Sequence, residues 1–140
     1  MIRYLSTLKI NKVIPLNITK NAWNKMNDII YKEGAYCFYL SAKSGGCNGF
    51  SYDLKLFNRD EYKKNISTQK NVNVIKNQNI KNQNIKLYVD PFSEMLLMGT
   101  TIDFIKEDYK KGIFENKFTF TPDKNIASSC GCGVSFNPYN

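Results

Sequence analysis

The chain has no histidine, so no imidazole is available to any metal site or acid–base pair it builds. Cysteine is sparse as well, four in 140 residues. Two of them, Cys130 and Cys132, are separated by a single residue, which is poor geometry for pairing with each other. No apolar run approaches the roughly 20 residues that a membrane helix needs, and none near the start forms a signal-peptide core. Oxidised secreted frameworks are therefore disfavoured. A reduced compartment with thiolate ligands is expected, and any soft-metal site must rest mainly on sulfur. No acid–base pair, nucleophile–base pair or phosphate loop is visible, so an enzyme is not expected.

Acidic residues are also missing from the first 27 positions; the first is Asp28. Residues 1–15 carry Arg3, Lys9 and Lys12 among apolar and hydroxyl residues, as organelle transit segments do. Residues 1–16 are expected to be a leader directed to the mitochondrion, ahead of a plastid-type organelle or the cytoplasm. The net charge of +8 sits in residues 1–34 (+4) and 58–86 (+5), whereas residues 35–57 hold +1 and 87–140 hold −2. The segments that look most strand-like are thus near neutral. No basic recognition face stands on ordered elements, so nucleic acid is not expected as a partner.

The length suits one domain with a single core. Thr19 can cap a helix over about residues 20–32, with Ala22, Trp23, Met26, Ile29 and Ile30 on one stripe and Gly34 at its end. Tyr36, Phe38, Leu40 and Ala42 alternate with Cys37, Tyr39 and Ser41, and Phe50, Tyr52, Leu54 and Leu56 alternate likewise. This period of two predicts half-buried strands, joined as a hairpin by the short glycine-rich SGGCNG. Residues 58–84 read as a low-complexity Asn/Lys insertion in a loop. Strands are expected again at IKLYVD, TTIDFIKE and KFTFT. A short helix over PFSEMLLM should start with Asp90 as its cap and stop at Gly99. The tail over residues 122–140 has few apolar residues and is expected to stay mobile until something binds.

The chemistry is concentrated at the cysteines. Five of the eight glycines flank them: Gly45, Gly46 and Gly49 around Cys47, and Gly131 and Gly133 around Cys132. Glycine lets a backbone fold tightly about a metal centre and brings peptide N–H groups close to cluster sulfides. The single residue between Cys130 and Cys132 differs from zinc knuckles, in which two or more let both sulfurs reach one tetrahedral ion. Such a pair is better shared between two metals of a cluster or used in alternation. Cys37 lies inside a strand without glycine neighbours and reads as a small buried side chain; a zinc site of four thiolates would require it to join the other three.

SGGCNGFSY at 44–52 and SCGCGVSF at 129–136, with VDPFSEMLLMGTTIDF at 89–104 between them, resemble the A-type carrier (HesB-like, IscA) family of iron–sulfur cluster assembly proteins. The resemblance covers about residues 17–57 and 85–137, so residues 17–137 are expected to be one HesB-like domain. It implies a β-rich α+β fold of mixed and antiparallel strands with one N-terminal and one short central helix. It also implies a [2Fe–2S] or [4Fe–4S] cluster on Cys47, Cys130 and Cys132. A homodimer, or a heterodimer with a sister carrier, would hold the cluster at the subunit interface. Scaffold or glutaredoxin donors would stand upstream and apo iron–sulfur proteins downstream. Gly45, Gly46, Phe50, Tyr52 and the VDP triplet look most like the subgroup acting late, in [4Fe–4S] maturation. Some members carry a glutamate where this chain has Val134, so carboxylate assistance from that place is excluded.

Three cysteines leave a four-ligand cluster one short, so a second subunit, a small thiol or a partner must supply the fourth ligand. A site satisfied only in part holds labile metal, as transfer requires. The alternative is a chaperone delivering mononuclear iron from the same residues.

Overall fold

A computed structural model gives the fold and describes residues 16–45, 49–69, 72–76, 85–112, 116–129 and 135–138. Thr19 starts helix α1 (Lys20–Glu33) as its position dictates, its Oγ1 accepting from the Ala22 N–H at 3.2 Å. The same hydroxyl donates to Asp103 at 2.6 Å, which ties the helix start to strand β6 (Thr101–Ile105). The helix ends at Gly34. Ala22, Trp23 and Met26 are buried along one stripe, with Ile29 and Ile30 packed against it. Burial of a side chain the size of Met26 stabilises the fold by about 1.5–3 kcal/mol.

The strands form two sheets. One has the order β1-β6-β7 and joins β1 (Asn17–Ile18), parallel to β6, with β7 (Lys117–Thr121). The other has the order β4-β5-β2-β3-β9-β8, from β4 (Asn73–Lys76) and β5 (Lys86–Val89) through β2 (Cys37–Ser44) and β3 (Phe50–Phe57) to β9 (Ser135–Pro138) and β8 (Ala127–Ser129). The main core lies between one face of the larger sheet (Phe38, Leu40, Tyr52, Leu87, Val89, Phe136) and a layer of α1, β6 and β7 (Trp23, Met26, Ile102, Phe104, Phe120). The Tyr52 and Phe120 rings, centroids 4.8 Å apart, stack across the two layers. The β-rich α+β fold with its N-terminal and short central helices is as expected.

Four local expectations are corrected. Strand β2 is covered on both faces rather than one. Its second face carries Cys37 and packs with Phe57, Ile66 and Tyr88 in a smaller core edged by Tyr36, Tyr39, Tyr62 and Val72. That cover comes from the segment read as a polar loop. Residues Arg59–Asn65 form helix α2, started by a reciprocal capping box in which the Asn58 side chain accepts from Glu61 N and the Glu61 side chain accepts from Asn58 N. Tyr62 and Ile66 are what this helix brings to the smaller core, while β4 adds an edge strand to β5.

Asp90 does not cap a helix. Residues 91–93 form a turn, and helix α3 is only Glu94–Leu97, with Ser93 before it making no side-chain capping bond. Asp90 instead binds the Ser93 hydroxyl, which draws the chain into the turn. The tail is not loose in its described part. Ala127 and Phe136 are buried, and β8 and β9 extend the larger sheet. Strand β8 pairs with the nearby β9, but β9 joins the sheet through β3, which is remote in sequence, so no local pattern announces its place.

Candidate metal centre

The Cys47 hairpin is built from its base upward. Strands β2 and β3 pair without a break from Cys37↔Phe57 to Ser44↔Phe50. Gly45 N–H then donates to the Gly49 carbonyl at 2.9 Å. Both glycines have positive φ, 122° and 99°, so a side chain at either position would be strained. Cys47 lies between them, outside the described residues, as do Cys130 and Cys132.

The second cysteine segment follows from the next hairpin. Strand β8 ends at Ser129 and β9 begins at Ser135, with Ser129 opposite Phe136. Phe136 is in turn opposite Phe50, and Ser135 opposite Ser51. The strand that opens just after Cys47 and the strand that opens just after Cys132 are therefore hydrogen-bonded neighbours. They run antiparallel, so the two cysteine segments leave the pairing in opposite directions, but the pairing is only two residues long, a rise of about 7 Å. Phe136 fixes the junction, its ring stacking on Phe50 at 5.7 Å and tilting on Tyr52 at 4.4 Å. On the other face of the hairpin Asp53 pairs with Lys43 at 3.0 Å and Lys55 at 3.6 Å. The lysines are exposed and Asp53 is half-buried, so solvent screens the pairs and they contribute little to stability.

The fourth cysteine is separate. Cys37 is fully buried at the far end of β2 from the hairpin tip, about 24 Å of strand from Ser44. It is a packed side chain, as expected. Burial pushes its thiol up to about 11, with Lys86 opposing and Glu61 adding slightly. Tyr52 is likewise pushed up to about 12 by burial, with Thr100 opposing. Both groups hold their protons more tightly folded than unfolded. Their contribution to stability is therefore complete below pH 9 and is lost as pH rises from 9 toward 12, which a series of thermal melts will trace. At pH 8 Cys37 should react with iodoacetamide at least 100-fold more slowly than an exposed thiol, and at the ordinary rate in urea. Fast modification of the native protein would contradict this burial.

Among the described residues, no three Cys, Asp or Glu side chains gather as metal ligands. None of their helices is long and apolar enough to cross a membrane. Sequence reasoning missed one polar cluster beside the hairpin, formed by Tyr39, Asp90 and Ser93. Its signal lay in the D-P-x-S turn, where Asp and Ser bond locally.

Comparison with known proteins agrees with this architecture. An iron–sulfur cluster insertion protein (ErpA) of Ruthia magnifica is 33% identical over 120 residues, covering 84% of this chain and 86% of the relative. The ErpA of Psychromonas ingrahamii is 29% identical, covering 94% and 98%. The crystal structure of Escherichia coli SufA, involved in the biosynthesis of iron–sulfur clusters, superposes with a TM-score of 0.60 at 25% identity, over 88% of this chain and 92% of that one. The crystal structure of IscA with the [2Fe–2S] cluster shares the fold with a TM-score of 0.62 at 17% identity, over 89% and 98%. The family described as iron–sulphur cluster biosynthesis matches residues 14–134, and the chain belongs to it.

Proposed function

We propose that the protein carries an iron–sulfur cluster as cargo on the thiolates of Cys47, Cys130 and Cys132 and hands it to apoproteins by stepwise thiolate exchange. The observation that supports this best is the two-residue pairing of β3 with β9, from which both cysteine segments emerge. The donor set fits the cargo: sulfur is the soft ligand available, and no imidazole competes. Three thiolates leave one position for a second subunit, a small thiol or the incoming acceptor. The reading includes a homodimer or a heterodimer with a sister carrier, scaffold or glutaredoxin donors, and a late role in [4Fe–4S] maturation. It assigns no catalytic turnover. Delivery to the mitochondrion rests on the basic, acid-free residues 1–15 alone; the relatives named above are bacterial and lend it no support.

Anaerobic reconstitution tests the proposal. The wild-type chain should bind iron and acid-labile sulfide in equal amounts, and alanine at any one of the three cysteines should abolish retention on a desalting column. Retention by all three variants would refute the site. Iron bound without sulfide would favour the mononuclear chaperone.

A further inference from the structure

We propose that Ser93 is a positioning residue for the Cys47 hairpin, its buried hydroxyl standing in for the strand that β5 no longer supplies. The inference deepens the carrier reading and rests on it for its consequence. Strand β5 accompanies β2 only as far as Val89↔Leu40, and its last ladder bond is Asp90 N–H to the Leu40 carbonyl at 2.9 Å. The chain then turns, with Ser93 N–H donating to the Asp90 carbonyl at 3.1 Å. Strand β2 runs on alone on that side to Ser44. The next N–H it presents there is that of Ala42, and the Ser93 Oγ accepts it at 3.0 Å.

The orientation of this hydroxyl is determined by its neighbours. It has one proton and two acceptors in view, Asp90 Oδ2 at 2.7 Å and the Ala42 carbonyl at 3.4 Å. The shorter, charge-assisted bond takes the proton and leaves a lone pair aimed at Ala42 N–H. Asp90 is held in turn by Tyr39, whose hydroxyl donates to Oδ1 at 3.0 Å. Tyr39 and Ser93 thus donate to separate oxygens of Asp90, and Ser93, its proton engaged there, accepts from Ala42 whether or not Tyr39 is bound. Ser93 is 3% exposed, so solvent does not replace it.

Ala42 lies three residues before Gly45, where the hairpin turn begins, and five before Cys47. Without the Ser93 bond, the last residues of β2 are tied to β3 only. The hairpin end can then twist against the sheet, changing where it presents Cys47 relative to the segment that follows Ser129.

The test uses the full-length, metal-free chain. In Ser93→Ala, the Ala42 amide should exchange with deuterium about fivefold faster, the factor one neutral hydrogen bond carries, while the Phe104 amide on the other sheet is unchanged. Alkylation of Cys47, resolved from Cys130 and Cys132 by mass spectrometry, should change severalfold. Tyr39→Phe, which leaves the Ser93–Ala42 bond intact, should show neither effect. The reconstituted Ser93→Ala protein should keep the wild-type iron-to-sulfide ratio but lose its cargo severalfold faster. Unchanged exchange at Ala42, an equal rise at Ala42 and Phe104, or unaltered Cys47 alkylation would each overturn the proposal. The exchange and alkylation readouts need no cluster, so they separate failure of this inference from failure of the carrier reading.

Discussion

Truncating Phe136 to alanine should cost the fold about 3–5 kcal/mol, the range for removing a buried aromatic ring. The ring has no exposed surface and contacts both Phe50 and Tyr52. Tyr52 is in turn the residue that stacks across to Phe120 on the other sheet. In the register Phe136 also stands between Phe50 and Ser129, so one side chain anchors the strand joining β3 to β8. A domain of this size is stable by only about 5–15 kcal/mol, so the loss is about a fifth of the total or more. Urea unfolding at 25 °C would show the midpoint collapse, and reconstituted cluster would be retained poorly. Phe136→Leu, which conserves most of the volume, should cost less than about 1.5 kcal/mol. An alanine variant within 1 kcal/mol of wild type would mean that β9 is not seated on the core as described.

Phe136 also shows where the sequence stops speaking. The tail around it has too few apolar residues for a recognisable period, and it was expected to stay loose. Its order comes from pairing with Phe50, 86 residues away, which no local window contains. Strand β1 is the same case, two residues held by Thr101 and Ile102. The β2–β3 hairpin and helix α1 were legible because their signals are local. Alternation sets the strand faces, Thr19 caps the helix and the glycines about Cys47 close the turn.

The segment after Phe57 carried a readable helix start in Asn58 and Glu61 that its Asn/Lys composition obscured. With only Tyr62 and Ile66 as apolar anchors, the amphipathic stripe was too thin to stand out. The second buried face of β2 was hidden for the same reason, since its cover is that helix. Of the site, residue types and spacing were legible and the neighbouring strands were not. The flanking glycines single out Cys47, Cys130 and Cys132 as candidates, and only the sheet order tells that their segments adjoin one pairing. Ser93 was invisible as a ladder partner because its role depends on where β5 ends.

Gly99→Ala should be nearly as damaging as the loss of Phe136, for a different reason. Gly99 has φ +76°, a left-handed conformation that costs an L residue about 1–2 kcal/mol. A Cβ there would stand 2.7 Å from the Cβ of Asp123, closer than real Cβ contacts come. Relieving that overlap adds about 1–3 kcal/mol, for about 2–5 kcal/mol together. Asp123 cannot retreat freely, because its carbonyl accepts from Ile126 and Ala127, both at 3.0 Å, and its Oδ1 accepts from Asn125 at 3.0 Å. It therefore organises the turn that delivers β8, and β8 ends one residue before Cys130. The strain should reach the cluster site along this route, lowering cargo retention more than an equal loss of stability elsewhere. A double-mutant cycle with Asp123→Gly isolates the overlap. That change removes the opposing Cβ, so the pair should recover about 1–3 kcal/mol beyond additivity. A coupling near zero would show that the turn does not press on Gly99, and the backbone strain alone would then account for whatever loss is seen.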